Sequence, residues 1–288
     1  MDKSDFRVLI VGLGLIGGSL AKALQGFRNC RIFGTDTNRA VLAQAEKERV
    51  IEKGFTDACD IVRECDLVIL CVHPCLTRQF LSELPFRKDA LVTDVCGVKQ
   101  YMQTERKARE FRYIGGHPMA GKEVGGYEHS DASLFCGASY LLTPDADASE
   151  EDIRLLQEMA KHIGCRKTVV CSAKEHDAMI AYTSQLMHVV AAALCDNPLL
   201  DEAEGYSAGS LRDCTRVAKL DAGLWSELFF ANKDELIARI NEFEESMDKV
   251  KNALSADDRE SLRTFLQHST ERKRRYLSED LASKPNRS

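Results

Sequence analysis

A chain of 288 residues exceeds the usual size of one domain, so two compact units sharing a cleft are the first expectation. With 44% hydrophobic and 29% charged residues, it has the balance of a globular protein rather than a disordered or fibrous one. A net charge of -6 leaves no basic stripe for nucleic acid, and the dense run Arg272 to Arg275 sits beside Glu271, Glu279 and Asp280 as on a solvated helix face. No apolar stretch reads as long and uncharged enough to span a bilayer. The opening Met1-Asp2-Lys3-Ser4-Asp5 runs directly into a strand pattern without the features of a signal peptide. The 11 cysteines form no CxxC pair and fall mostly in apolar runs such as Ile69-Leu70-Cys71-Val72, as reduced cytoplasmic thiols do. Cys71, His73 and Cys75 match no zinc spacing, and no metal is expected.

In chain order, Arg7 to Val11 reads as a first strand, Ile16 to Gln25 as a helix and Arg31 to Thr35 as a second strand. Asp66 to Val72, Ala90 to Asp94 and Arg112 to Gly115 supply further strands, the first nearly all apolar, as in a sheet covered on both faces. Ser139 to Thr143 and Lys167 to Cys171 bracket an amphipathic helix near 150 to 163 and extend the same sheet. After Ser172 the β-rich runs stop. Glu175 to Cys195 is a long apolar helix, and 210 to 280 reads as helices broken at Gly223 and around Ser255 to Asp258. The fold expected is therefore α/β: a doubly wound parallel sheet over residues 1–172, then an all-helical unit over 173–288. A helix apolar nearly all round needs cover on several sides, and a second copy of the chain would supply it as a homodimer.

The first strand leads into Gly12-Leu13-Gly14-Leu15-Ile16-Gly17, a G-x-G-x-x-G array placed between a strand and a helix, the setting that makes it specific for a dinucleotide. Gly12 permits the tight turn, Gly14 lets backbone approach a pyrophosphate, and Gly17 allows close helix-to-strand packing. The helix opening at Leu15 and Ile16 offers free N–H groups to phosphate. Asp36 closes the second strand, where a carboxylate accepts bonds from ribose hydroxyls and repels a 2′-phosphate; NAD is favoured over NADP, with Arg39 nearby. Val72, at the end of the Asp66 to Val72 strand, completes the expected cofactor-binding set.

Gly115-Gly116-His117-Pro118-Met119-Ala120-Gly121 follows a predicted strand and should lie at the sheet edge, where ligands collect. The two glycines would allow close approach to a bound ring, and Pro118 restricts His117 to an extended conformation. This makes His117 a fixed, loop-borne imidazole suited to accept a hydroxyl proton while hydride leaves the same carbon. Ser184, Gln185 and His188 form a polar stripe on an apolar helix, readable as a wet cavity or, for His188 alone, as a satisfied core histidine. Asp213 and Arg216, three apart on a helix, could be a surface ion pair, or an arginine held ready for a carboxylate.

The array Gly12 to Gly17, then Asp94-Val95-Cys96-Gly97-Val98-Lys99, Gly116-His117-Pro118-Met119-Ala120-Gly121, His176-Asp177, Ser184-Gln185-Leu186-Met187-His188 and Asp213-Cys214-Thr215-Arg216 resembles the prephenate dehydrogenases, over about residues 6 to 270. The resemblance implies NAD(P)-linked oxidative decarboxylation of prephenate to 4-hydroxyphenylpyruvate, or of arogenate to tyrosine. It implies that His117 is the catalytic histidine at the substrate's ring hydroxyl, that Arg216 binds a substrate carboxylate, that His188 lines the pocket, and that Trp225 follows the arginine as is usual. The chain departs from the family at Gly97, where a serine is common, and at Gln185, where a histidine is frequent. Two other classes stay in view. A β-hydroxyacid dehydrogenase would be expected to carry a lysine where Ser184, Gln185 and His188 stand, and a non-catalytic NAD-sensing dimer would have lost its chemistry, with Gly97 as the mark of it.

Overall fold

The computed structural model describes residues 6–103, 111–146 and 148–282. They divide into two compact units, one ending at Leu236 and the other beginning at Ile237. In the first, β1 (Arg7–Val11), α1 (Leu15–Ala23), β2 (Arg31–Thr35), α2 (Arg39–Lys47), β3 (Lys53–Phe55), β4 (Leu67–Leu70), α3 (Pro74–Glu83), β5 (Leu91–Asp94), α4 (Gln100–Gln103) and β6 (Arg112–Pro118) alternate as βα units should. β7 (Ser139–Pro144), α5 (Glu150–His162) and β8 (Lys167–Val170) complete one eight-stranded sheet of order β3-β2-β1-β4-β5-β6-β7-β8. β1 to β6 run parallel, and β7 lies antiparallel to β6.

Alternation along the central strands sends residues to opposite faces, and both faces are covered. Val8 and Ile10 of β1 pack with Leu20 of α1 and Leu156 of α5, whereas Leu9 and Val11 pack with Leu81 of α3 and Met102 of α4. That double burial explains why β4 reads as an unbroken apolar run. The order reverses between β1 and β4, so the loops after Val11 and Leu70 open side by side at the carboxyl edge, where ligands of such sheets collect. Local signals set the helix ends. Ser149 caps α5 by accepting from the Asp152 N–H, with Glu150, Glu151 and Asp152 in the first turn and Lys161 and His162 in the last.

Three expectations about the first unit's strands and helix limits change. Lys53–Phe55 forms the edge strand β3, too short and too polar to stand out as a strand. Gly223 lies inside α9 (Ala222–Ala231) rather than at a break, because Asp221 caps that helix by accepting from the Leu224 N–H. His117 is not on a loop: pairing of His117 with Leu141 and Pro118 with Tyr140 carries β6 past Gly115.

Ser172 and Glu175 form a reciprocal capping box that starts α6 (Ala173–Ile180). A π-helical turn, Ala181–Gln185, joins α6 to α7 (Leu186–Cys195), and α8 (Gly209–Thr215) and α9 follow. By length and composition Ala173–Cys195, 23 residues with a mean hydropathy of 1.5 in its most apolar window, could cross a bilayer, which the sequence reading did not anticipate. In the second unit, α10 (Lys233–Ser255, beginning just before the boundary) and α11 (Arg259–Ala282) break where expected, at Asp257, which has φ +55°.

Candidate active site

At the carboxyl edge, Gly12 takes φ +91°, a region closed to other residues without strain, and a Cβ there would lie 2.6 Å from the Cys71 carbonyl oxygen. A Cβ on Gly17 would lie 1.8 Å from the Gly12 carbonyl oxygen, so α1 sits against the turn as only glycine permits. Gly14 differs, since a Cβ there would meet nothing within 4 Å. Among the described residues no side chain caps α1, leaving the first-turn N–H groups of Leu15, Ile16 and Gly17 directed at that space. Asp36 accepts from the Leu13 N–H at 2.9 Å and the Asn38 N–H at 2.8 Å, which fixes its carboxylate beside the glycine turn. Val72 borders the same turn, its Cγ1 2.8 Å from the position a Gly12 Cβ would take. An open cradle with free N–H groups, a fixed carboxylate and no Cβ in the way fits a dinucleotide.

One step along the edge lies a denser constellation. The Lys99 ammonium, fully buried, donates to Asp94 at 2.6 Å and to the Cys96 carbonyl at 2.8 Å. Asp94, equally buried, also accepts from the Cys96 N–H and the Tyr113 hydroxyl. This pair shapes the turn between β5 and α4 that carries Gly97. Gly115 and Gly116 pack closely against that cluster: a Cβ on the first would lie 2.9 Å from Lys99 Cδ, and on the second 2.6 Å from the Asp94 carbonyl oxygen.

The partly buried His117 lies where β6 leaves the sheet. Its Nδ1 is 2.9 Å from Nε2 of His176, whose Nδ1 is 2.7 Å from Asp177. His176 and Asp177 have no exposed side-chain surface. Burial, then the neighbouring His176, then the Lys99 charge push His117 well below the ordinary imidazole value, so it is neutral at neutral pH. Burial also lowers His176, against the opposing pull of Asp177. The space beside His117 is set by Gly97, whose absent Cβ would stand 3.8 Å from His117 Nε2 and 3.6 Å from Leu228 of α9.

The residues expected on α6 and α7 separate. Gln185 is buried, accepting from Asn232 at 2.8 Å and donating to the Leu228 carbonyl at 3.3 Å, which ties the π-helical turn to α9. Ser184 is partly buried beside it. His188 meets the Val217 carbonyl through Nδ1 at 3.0 Å and packs against Trp225, with ring centroids 3.7 Å apart and the planes tilted by 47°. Burial is the main cause that lowers it. Arg216 is 66% exposed and pairs at 2.8 Å with Glu123, from the loop after His117, not with Asp213 as its spacing suggested. Sequence reasoning did not single out Glu123, Asn232 or the Lys99–Asp94 pair. Their partners lie far along the chain, and no periodicity links them.

The description of the nucleotide-binding domain of prephenate dehydrogenase matches residues 20–169, and that of its dimerization domain matches residues 172–268. The chain belongs to the prephenate dehydrogenase family. It is 30% identical over 275 residues to the prephenate dehydrogenase of Bacillus subtilis, spanning 91% of this chain and 74% of that one. Prephenate dehydrogenase from A. aeolicus, solved with hydroxyphenyl propionate and NAD+, superposes with a TM-score of 0.82 at 29% identity over 96% of this chain and all of that one. Synechocystis arogenate dehydrogenase superposes with a TM-score of 0.80 at 26% identity, over 94% of this chain and all of that one.

Proposed function

We propose that this chain is an NAD-dependent dehydrogenase that oxidatively decarboxylates prephenate to 4-hydroxyphenylpyruvate in tyrosine biosynthesis, with His117 as its catalytic base. The observation that carries the reading is the His117 imidazole, held through Nδ1 by His176 at the end of β6 in the sheet that also carries the glycine cradle, with Nε2 3.8 Å from where a Gly97 Cβ would stand. Gly12, Gly14, Leu15, Ile16, Gly17, Asp36 and Val72 would hold NAD, which supplies the hydride acceptor when bound.

His117 Nε2 takes the proton of the ring hydroxyl as hydride leaves the same carbon. Loss of the ring carboxylate as CO2 then makes the ring aromatic, and the phenolic oxygen regains the proton from His117. Aromatisation supplies the driving force, and the protein's part is to position and neutralise. Arg216 offers its guanidinium to a substrate carboxylate, and its bond to Glu123 presents the geometry such a carboxylate would take. His188, Ser184 and the Gly97 backbone line the pocket, while Gln185 supports it from behind through Asn232. Arogenate remains the alternative substrate, supported by the name of the Synechocystis relative.

Residues 1–172 form the nucleotide domain in this reading, and 173–288 the substrate and dimerisation domain. Only 28% of the most apolar window of Ala173–Cys195 is buried within one chain, and Met179, Tyr182 and Met187 are exposed on it. A second copy covering that face as a homodimer accounts for it better than a bilayer does, because Lys174, Glu175 and Asp177 open the segment. The cysteines are free thiols, consistent with a cytoplasmic location.

The test is reduction of NAD with prephenate, and separately with arogenate, followed at the absorbance of the reduced nicotinamide. His117→Asn is expected to lower turnover by about 10²–10⁴. Turnover by His117→Asn equal to the wild type would remove the base assignment.

A further inference from the structure

We propose that His176 and Asp177 are positioning residues that fix the tautomer of His117, leaving Nε2 as the bare nitrogen that faces substrate. The inference rests on His117 being the base and adds a pair of groups that touch neither substrate nor cofactor.

The chain of donors runs in one direction. Oδ1 of Asp177 accepts from the Lys99 N–H and Oδ2 from the Gln100 N–H, each at 2.8 Å. Backbone amides only donate, so the carboxylate is clamped to the start of α4 and can only accept from its third partner. That partner is Nδ1 of His176, at 2.7 Å, which must therefore carry a proton. Burial keeps His176 neutral, and a neutral imidazole with a proton on Nδ1 has its lone pair on Nε2. The 2.9 Å contact with His117 is then a bond from His117 Nδ1–H to that lone pair. His117 is left with an unprotonated Nε2.

The surroundings hold that state. Lys99 on the turn before α4 and His176 on α6 both oppose charge on His117, Asp94 of β5 is occupied by Lys99, and Asp177 reaches His117 only through His176. A carboxylate in direct contact would fix the same tautomer but would also raise the imidazole's pKa. An intervening neutral imidazole orients the ring without charging it. His176 is fully buried and among the described residues donates to no backbone carbonyl, so this relay is the hydrogen-bonding use the site gives it.

The experiment uses the full chain labelled with ring-15N histidine, observed by two-bond 15N–1H correlation, with the His117 signal assigned by its loss in His117→Asn. The wild type is expected to show His117 protonated at Nδ1. His176→Leu, which removes the acceptor, is expected to shift His117 towards the Nε2-protonated form. It should also lower kcat on prephenate about 10²-fold while leaving KM within about threefold, the pattern of a mispresented base. His176→Gln keeps a carbonyl that can accept from Nδ1–H, and it should restore kcat to within about tenfold of wild type. Retention of the Nδ1-protonated form and of wild-type kcat in His176→Leu would overturn the proposal, as would equal losses in the Leu and Gln variants. The tautomer is read without substrate, so a chain inactive on prephenate would count against the proposed function and leave the relay to be judged by its spectrum.

Discussion

Lys99→Met is the perturbation that most directly tests how the site is built. It deletes a buried ammonium 2.6 Å from Asp94 without changing the side chain's bulk greatly, so the main loss is electrostatic. Breaking a buried pair by removing one partner costs about 3–5 kcal/mol, because the other is left without its counter-charge. Asp94 keeps the Cys96 N–H and the Tyr113 hydroxyl, which places the expected cost near the lower end, about 3 kcal/mol. At about 2–4 °C per kcal/mol for a chain of this size, the melting temperature should fall by roughly 6–12 °C, measured by calorimetry and checked by urea denaturation. The same variant has a kinetic signature. Burial, His176 and Lys99, in that order, lower His117, and a base works only when unprotonated, so activity is present above its folded pKa and lost as pH falls through it. In the wild type the acid limb of kcat/KM therefore lies well below the ordinary imidazole value of about 6.5. Without Lys99 it should move upward and still stay below that value, since burial, the largest cause, remains. Unchanged melting together with an unmoved acid limb would refute the account of Lys99 as both scaffold and field.

Two further variants separate binding from folding. Arg216→Ala removes a charge-assisted bond of about 1.5–3 kcal/mol; the guanidinium is two-thirds exposed, so screening favours the low end, a KM for prephenate raised about tenfold with kcat little altered, and an unchanged KM would count against carboxylate binding. Gly14→Ala adds a methyl group where the fold leaves open space, so melting should stay within about 1 °C, while overpacking against a bound pyrophosphate at about 1–3 kcal/mol should raise the KM for NAD roughly 5–150-fold; wild-type NAD kinetics in this variant would move the pyrophosphate elsewhere.

What the sequence made visible was what adjacent residues decide among themselves. Gly12, Gly14 and Gly17 report a turn, a cradle and a helix contact because each constraint falls within six residues, and the observed φ of Gly12 and the clash at Gly17 are those constraints in space. The strands were legible for the same reason: burial on both faces writes an apolar run. The substrate side was harder. His117 read as loop-borne because Gly-Gly and Pro usually end strands, yet an antiparallel partner supplied by Tyr140 and Leu141 kept it in the sheet. Gln185 and His188 share a stripe at ideal helical spacing, but the π-helical turn resets the phase of the helix and turns Gln185 inward towards Asn232, a partner 47 residues on.

The relay was the least legible part, and the reason is physical. His176 and Asp177 are neighbours whose side chains do different jobs: one crosses 59 residues of sequence to reach His117, the other pins the start of α4. Nothing in their spacing distinguishes that from a surface His-Asp pair. The difference comes from burial, which forbids either residue an unsatisfied nitrogen or oxygen and so converts a set of distances into a fixed direction of donation. Near water the same three side chains could exchange protons and tautomers freely. Enclosed between β6, α4 and α6, they have one arrangement in which every donor meets an acceptor, and it is the one that leaves the basic nitrogen of His117 towards Gly97.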